Sequence, residues 1–198
     1  MTAIDNRREG VPGTRTNIEG PVYRPEAPVR PDGNFLDAEV APDADLVDII
    51  GVVTDAETGL PLSGIELDVW HVDERGIYDR EGFHLRGRVI SGADGRYRIR
   101  TALPIDYAEH LNDPIGELLR KMGRESYRAA HIHLKVRVNG EERLTTQFFR
   151  GDSPHLANDY VIGAVSPDLV VTPVPVGEAD GHPLYRMEFD IAVPPKSV

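Results

Sequence analysis

The sequence predicts a mostly β protein, a β-sandwich with an extended N-terminal strap and one short helix. Short segments rich in β-branched and aromatic residues recur along the chain between turn residues, a spacing typical of sandwiches. Residues 1–45 are instead rich in proline, glycine and charge, and several prolines there favour extended chain: Pro21, Pro25, Pro28 and Pro31. We therefore expect residues 1–45 to form a strap, not an independent domain, and residues 46–198 to form one sandwich domain.

Seven segments carry the pattern of a strand. Each is short, contains β-branched or aromatic residues, and is bounded by turn residues. In chain order they are Asp48–Asp55, Ile65–Val72, Arg86–Ile90, Tyr97–Thr101, His131–Val138, Arg143–Phe149 and Tyr185–Val193. We expect them to pack as an immunoglobulin-like or prealbumin-like sandwich.

One helix is predicted between Pro114 and Met122. Asp113 is suited to cap it, Pro114 fits the first helical position, and Gly123 ends it. The helical spacing of its apolar residues predicts an apolar stripe: Ile115, Leu118, Leu119 and Met122.

The strand His131–Val138 alternates almost perfectly. Ile132, Leu134 and Val136 fall on one face, and His131 and His133 fall on the other. Successive side chains of a strand point to opposite faces, so both imidazoles project from one face about 7 Å apart. Two histidines placed in this way are suited to share one metal ion.

The turn after this strand fixes which residues face the histidines. A two-residue loop at Asn139-Gly140 would set Ile132 against Gln147 and bury a polar group in the core. A three-residue loop that includes Glu141 sets Ile132 against Phe148 instead. We therefore predict the three-residue loop, which places Gln147 opposite His133.

Two tyrosines lie at strand exits, where loop side chains often point into a cleft. These are Tyr78 and Tyr107. With two neutral imidazoles, two phenolates would make a site for a trivalent iron. A lone histidine is more often structural, so we expect no metal at His71, His84, His110, His155 or His182. Tyr160 is the strongest spare tyrosine, Tyr23 and Tyr127 are candidates for lining a substrate cleft, and Asp79 either contacts substrate or caps a turn.

Composition sets outer limits on function. A chain of 198 residues with 40% hydrophobic residues is expected to bury one substantial core. It has no cysteine, so disulfides and thiolate metal sites are excluded. A net charge of −11 argues against general nucleic-acid or anionic membrane binding. No apolar run approaches the roughly 20 residues of a membrane-spanning helix, and we expect a cytoplasmic protein.

An ordered set of short motifs resembles a known family, the intradiol ring-cleavage dioxygenases, which open catechols with non-haem ferric iron. Any one motif is weak, but their order along about residues 19–150 is specific. The motifs are Glu19–Pro25, Gly51–Asp55, Asp68–Asp73, Gly76–Tyr78, Asp94–Tyr97, Leu103–Pro104, Arg128–His133 and Leu144–Gln147.

The resemblance implies a role for each matching residue. Tyr78 resembles the tyrosine ligand that stays on the iron, and Tyr107 resembles the axial tyrosine that leaves when substrate binds. His131 and His133 resemble the two histidine ligands. Arg128 resembles the arginine beside the substrate, and Gln147 its supporting glutamine.

There are two departures from the family. Ala129 stands where members often have proline, and the long helical N-terminal segment of many catechol-specific members is missing. The preferred catechol is therefore left open: catechol, hydroxyquinol, a substituted catechol or protocatechuate.

The resemblance implies that the protein cleaves catechol-type rings with O2 to cis,cis-muconate-type products in aromatic catabolism. One ferric ion per chain would hold the catecholate, with a peroxo species and a cyclic anhydride as intermediates. We expect a homodimer or larger homo-oligomer.

Two other functions stay open. Residues 51–64 form a strand-turn-strand phrase shared by prealbumin-like binding modules that do no chemistry. A hydrolase with zinc at the two histidines is the third possibility, but it would lack a further ordinary zinc ligand at convincing spacing.

Overall fold

The structure is a computed structural model, and it describes residues 12–36, 41 and 44–195. Within these ranges the chain forms twelve strands, one α-helix and a short 3-10 helix at Pro167–Leu169. The helix α1 is Pro114–Lys121. The strands are β1 Leu46–Asp55, β2 Glu66–Trp70, β3 Arg86–Ile90, β4 Arg96–Ala102, β5 Tyr107–Ala108, β6 Tyr127–Arg128, β7 His131–Val138, β8 Glu141–Arg150, β9 Val170–Val171, β10 Val174–Ala179, β11 His182–Glu188 and β12 Ile191–Val193.

Two five-stranded sheets form the predicted sandwich. In the first sheet β1 is central, with β4 antiparallel on one side and β11 and β12 parallel on the other; β10 extends the sheet beyond β11. The second sheet has the order β3-β2-β7-β8-β9. The short strands β5 and β6 pair separately as a two-stranded ribbon.

The main core lies between the two sheets. From β7 it takes Ile132, Leu134 and Val136, and from the first sheet it takes residues such as Ile49 and Ile99, all almost fully buried. The alternation of β7 therefore turns His131 and His133 to the other face of the second sheet, as predicted. A second, smaller hydrophobic cluster, which shares no residue with the main core, covers that face: Val22, Trp70, Val72, Tyr78 and Tyr107.

The described part of the strap runs in extended form along the body. Val29 bridges to Arg88, and Asn34 bridges to Arg100. Phe35 is fully buried in the main core. Residues 1–11, 37–40 and 42–43 of the predicted strap lie outside the described residues, and the domain boundary at residue 45 stays a prediction.

The register of the β7-β8 hairpin is confirmed, but the predicted loop is wrong. Ile132 pairs with Phe148 and His133 with Gln147. Val138 pairs with Glu141, so the turn contains only Asn139 and Gly140, and a register shift after Val136 restores the pairing nearer the site. Both turn residues have positive φ, 52° and 80°, the backbone that a two-residue hairpin turn needs. A β-bulge after Val136, and not a longer loop, therefore sets Ile132 against Phe148.

The C-terminal part of the chain differs from the prediction. The predicted strand Tyr185–Val193 is two strands, β11 and β12, which follow β1 one after the other. Strand β10 is missed because it is exposed and contains Pro175 and Gly177, residues that argue against a strand. Strands β5, β6 and β9 are two residues long and carry no periodic signal.

Helix α1 is confirmed, and most of its apolar stripe is exposed. The Asp113 carboxylate accepts hydrogen bonds from the amides of Ile115 and Gly116, as expected of a cap. Of the apolar stripe only Leu119 is buried; the other members are about half exposed: Ile115, Leu118 and Met122. No helix in the described ranges is long and apolar enough to cross a membrane.

This difference between neighbouring leucines of α1 is testable. We expect Leu119→Ala to lower the free energy of unfolding by about 2–3 kcal/mol, because it removes buried methyl groups. The matched Leu118→Ala should change it by less than about 0.5 kcal/mol, because that side chain is 57% exposed. Chemical denaturation measures both, and equal losses would contradict the observed orientation of α1.

Candidate metal centre

The candidate site lies on the outer face of the second sheet, where register sets neighbouring side chains in a row. Trp70 of β2 pairs with His133 of β7, and His133 pairs with Gln147 of β8. Arg86 of β3 continues the row on the other side of Trp70. The rings of Trp70 and His133 stack with centroids 4.9 Å apart and planes 3° from parallel. The sheet itself thus fixes the orientation of His133.

Four side-chain atoms converge at this face. The Nε2 atoms of His131 and His133 are 3.1 Å apart, and the Tyr78 hydroxyl is 3.3 Å from Nε2 of His131. The hydroxyls of Tyr78 and Tyr107 are also 3.3 Å apart. All four side chains are at least 93% buried. The structure therefore brings together the four residues that the resemblance implies as ligands.

Local structure delivers the two tyrosines from different directions. Tyr78 follows a tight turn in which the Asp73 carboxylate accepts hydrogen bonds from the amides of Arg75 and Ile77. Gly76 in this turn has φ 76°, and a Cβ there would lie 2.7 Å from Cβ of Tyr107. Only glycine allows the turn to approach Tyr107 so closely.

Tyr107 belongs to the ribbon formed by β5 and β6. It pairs directly with Arg128, so the two side chains leave the ribbon on the same face. Arg128 lies three residues before His131, and the chain therefore passes from the ribbon into β7 within one short segment.

Burial keeps both histidines neutral. It lowers the pKa of His131 and that of His133 well below 6.5, and the positive charge of Arg128 lowers both further. Nδ1 of His131 lies 2.6 Å from the carbonyl oxygen of Ala129. Because a carbonyl only accepts, this nitrogen carries the proton, and Nε2 presents its lone pair to the cluster.

Burial raises the pKa of both tyrosines. It raises the pKa of Tyr78 to about 12 and also raises the pKa of Tyr107. Both hydroxyls therefore keep their protons at neutral pH unless a strong Lewis acid binds them.

The donor set fits a hard trivalent cation. Atoms about 2.1 Å from one metal ion and roughly at right angles to each other lie about 3 Å apart, which matches the separations of 3.1–3.3 Å found here. Nδ1 of His133 is buried, and the backbone of Ile18 beside the ring acts to raise the pKa of His133. In the described part of the chain no three histidine, cysteine or acidic side chains are grouped to hold a metal, so any metal here depends on the tyrosines.

Arg128 is held beside the cluster by a buried ion pair. Its Nε atom lies 3.1 Å from each oxygen of Asp159, and its Nη2 donates to Oε1 of Gln147 at 2.8 Å. Gln147 in turn donates to Asn17 of the strap at 2.9 Å. Asp159 is thus the ion-pair partner of Arg128, and both side chains are buried. Arg128 and Gln147 thus form one hydrogen-bonded unit.

Sequence reasoning missed two of these supports, Asp159 and Asn17. Asp159 also accepts the amide protons of Ala129 and Val161, and so ties the segment before β7 to its own loop. Neither residue lies in a periodic element or a motif, and their contacts span 31 and 130 residues of chain. The one available signal was that Asp159 precedes Tyr160, the tyrosine noted as spare.

Other candidates from the sequence have structural roles. His71 is buried and hydrogen-bonded to the Val72 carbonyl and to Thr101. Asp79 caps its own loop by accepting amide protons, including those of Gly82 and His84. Tyr23 donates to Asp68 at 2.8 Å.

The remaining aromatic candidate, Tyr127, stacks on His155 with centroids 4.3 Å apart, and its side chain is partly exposed. A cleft of about 650 Å³ lies elsewhere, between residues 31–33 and strands β1 and β4, and includes none of the four converging residues.

Comparison with known proteins identifies the family. A family model described as "Dioxygenase" matches residues 18–195. The chain is 34% identical to a catechol 1,2-dioxygenase of Candida albicans, covering 100% of this chain and 68% of that protein. It belongs to the intradiol ring-cleavage dioxygenases.

Relatives in this dioxygenase family differ in their named substrates. The chain is 35% identical to a hydroxyquinol 1,2-dioxygenase of Rhizobium sp., covering 80% of this chain and 55% of that protein. It superposes with TM-score 0.82 on 3-chlorocatechol 1,2-dioxygenase from Rhodococcus opacus 1CP, at 28% identity over 93% of this chain and 74% of the other. The chain thus spans between about half and three quarters of the length of these relatives.

The buried ion pair of the dioxygenase can be tested by stability. We expect Asp159→Asn to lower the free energy of unfolding by about 3–5 kcal/mol, because it leaves the Arg128 charge buried without its counter-ion. Glu117→Gln breaks an exposed pair with Lys121 and should change stability by less than about 0.5 kcal/mol. Urea titration measures both, and similar small losses would show that Arg128 does not depend on Asp159.

The neutral histidines predict how the metal-free protein responds to pH. His71, with a pKa of about 4, His131 and His133 gain protons on unfolding at low pH. Stability should therefore be fully present above about pH 6.5 and fall toward pH 5, with a slope that approaches about 1.4 kcal/mol per pH unit per histidine. Urea titrations from pH 7 to pH 5 measure the slope, and His71→Gln should reduce it by about one third. A flat profile would mean that the folded protein already binds these protons.

Proposed function

We propose that the protein is a catechol-cleaving intradiol dioxygenase with one non-haem ferric ion held by Tyr78, Tyr107, His131 and His133. The observation that carries the proposal is the convergence of two tyrosine oxygens and two neutral histidine nitrogens within 3.1–3.3 Å of each other. The alternative function, a prealbumin-like binding module, has no need for such a buried cluster. Membership of a dioxygenase family does not favour it either.

The positions of the tyrosines support different roles for them. The Tyr78 hydroxyl lies 3.3 Å from Nε2 of His131 and 3.3 Å from the Tyr107 hydroxyl, so it sits inside the cluster and would stay as a ligand. The Tyr107 hydroxyl contacts the cluster through Tyr78, and it would be the one to leave when a catechol binds. The freed Tyr107 oxygen would then accept a proton from one substrate hydroxyl, so that the substrate binds as its anion.

Arg128 supplies positive charge beside the reacting ring. Its guanidinium is buried, remains protonated beside Asp159, and is oriented by Gln147. A preorganised cation in a water-poor site stabilises the negative charge that develops on substrate oxygen and carbon. Gln147 acts through Arg128 as a positioning residue, and Asn17 fixes Gln147 from the strap.

Held by these four residues, a ferric ion would supply Lewis-acid chemistry that makes a bound catechol ring reactive toward O2. The reaction needs no external reductant, because both atoms of O2 enter the product: the bond between the two hydroxylated carbons breaks and two carboxylates form. Buried aromatic and aliphatic side chains, including Val22 and Trp70, keep bulk water away from this face.

Several features of this function rest on the family alone. The relatives' names place catechol, hydroxyquinol and chlorocatechol among the substrates of the family. We extend the class of catechol-type rings, with O2, to this chain. A homo-oligomeric state and a cytoplasmic location stay predictions.

Two variants separate the ligand roles. We expect His131→Ala to lose iron, because Nε2 of His131 lies within 3.3 Å of two other donors. Tyr107→Phe should retain iron but lower kcat at least about 100-fold, because the base for substrate deprotonation is gone. Iron content per chain and O2 uptake with catechol measure the two effects.

Tyr185→Phe in the first sheet is the matched control for the tyrosine variant, and it should change neither readout. Full iron occupancy in His131→Ala would refute the ligand assignment. Unchanged kcat in Tyr107→Phe would refute the role of Tyr107 as the base.

A further inference from the structure

A polar pair lies next to the candidate metal centre and is not used by the mechanism above. Glu109 follows Tyr107 by two residues, and its amide donates to the Ser126 carbonyl at 2.9 Å, which continues the pairing of β5 with β6. By strand alternation Glu109 leaves the ribbon on the same face as Tyr107 and Arg128. The carboxylate is therefore carried toward the side of the ribbon on which substrate would bind.

Tyr160 is the partner of Glu109. The Tyr160 hydroxyl donates a hydrogen bond to Oε2 of Glu109. The Arg128 guanidinium lies over the Tyr160 ring, 5.9 Å from its centroid, and the His110 ring meets it edge-on at 5.5 Å. The backbone amide of Tyr160 also donates to the Tyr127 carbonyl at 3.0 Å. Tyr160 is thus fixed at its backbone, its ring and its hydroxyl.

The carboxylate has unused capacity to accept hydrogen bonds. Among the residues that the structure describes, Tyr160 is the one hydrogen-bond partner of the Glu109 side chain, and no cation pairs with it. A carboxylate has about four acceptor positions, so most of them remain open. Both side chains are partly exposed, which leaves them accessible to a ligand.

The arrangement would favour some catechols over others. Tyr160 lies against Arg128, and Glu109 follows Tyr107 on the same face of the ribbon. A ring held between Tyr107 and Arg128 would therefore present one edge to the Glu109–Tyr160 pair. A fixed carboxylate accepts a hydrogen bond from a hydroxyl on that edge. It offers nothing to a chlorine atom, and it repels a carboxylate.

We propose that Glu109 and Tyr160 form the part of the substrate site that contacts the ring substituent, and that they select catechols with an additional hydroxyl group over chlorinated or carboxylated ones. This inference rests on the proposed function, because it assumes that the ring binds beside Tyr107 and Arg128. Glu109 supplies the acceptor, and Tyr160 is the positioning residue that holds it.

The test compares four probes, catechol, hydroxyquinol, chlorocatechol and protocatechuate, on the iron-loaded full-length protein. Kd is measured without O2 from the shift of the visible absorption band, and kcat/KM from O2 uptake. The wild type should prefer hydroxyquinol. Glu109→Leu should lower kcat/KM for hydroxyquinol about tenfold relative to catechol, because the acceptor is removed.

Further variants separate the acceptor from its charge. Glu109→Gln retains an acceptor and should lose less of the preference for hydroxyquinol, while it relieves the rejection of protocatechuate, a carboxylated catechol. Tyr160→Phe should weaken the preference through a higher KM with kcat for catechol retained. Glu178→Gln, at an exposed position of β10, is the control and should leave the ranking unchanged.

The outcomes distinguish the two proposals. A band that shifts with every catechol, but with the same ranking in wild type and Glu109→Leu, overturns this inference and leaves the dioxygenase function standing. A wild type that prefers chlorocatechol also overturns it. If no catechol shifts the band or is cleaved, both proposals fail.

Discussion

The register of β7 between β2 and β8 is the constraint on which the rest of the site depends. It places His131 and His133 on the outer face of the second sheet, stacks His133 on Trp70, and sets Gln147 beside it. A slip by one residue would turn both histidines into the core and expose Ile132 and its neighbours, so burial of the apolar face enforces the register. The same hydrophobic packing that stabilises the sandwich therefore positions the candidate ligands.

The electrostatics of the site follow from this buried position. Burial and the Arg128 charge keep the histidines neutral, which is the state that binds metal. Asp159 balances the buried charge of Arg128 and ties the segment before β7 to the loop that carries Tyr160. The strap contributes two residues. A Cβ on Gly20 would lie 3.3 Å from Cε1 of His133, so glycine lets the strap lie close to that ring. Asn17 accepts a hydrogen bond from Gln147 and holds it in place. Sheet, ribbon, loop and strap each contribute one side of the centre.

Local patterns could be predicted from the sequence, and contacts between distant segments could not. The period of two in His131–Val138 predicted the histidine face, and core burial then predicted Gln147 opposite His133. The contact between Tyr78 and Tyr107 could be predicted from the family resemblance alone, because no sequence pattern links residues 29 positions apart. Asp159 and Asn17 lie outside periodic elements and were missed. The apolar stripe of α1 could be predicted from helical spacing, but spacing does not show which of its residues another element covers, and Leu118 is exposed.

The proposed function requires that the four converging side chains hold a ferric ion that binds catechol. The visible absorption spectrum of the purified protein tests this, together with its iron content, before and after catechol is added without O2. We predict a broad tyrosinate-to-iron charge-transfer band, one iron per chain, and a shift of the band when catechol binds. A colourless protein that remains free of iron after reconstitution would refute a ferric site at these residues.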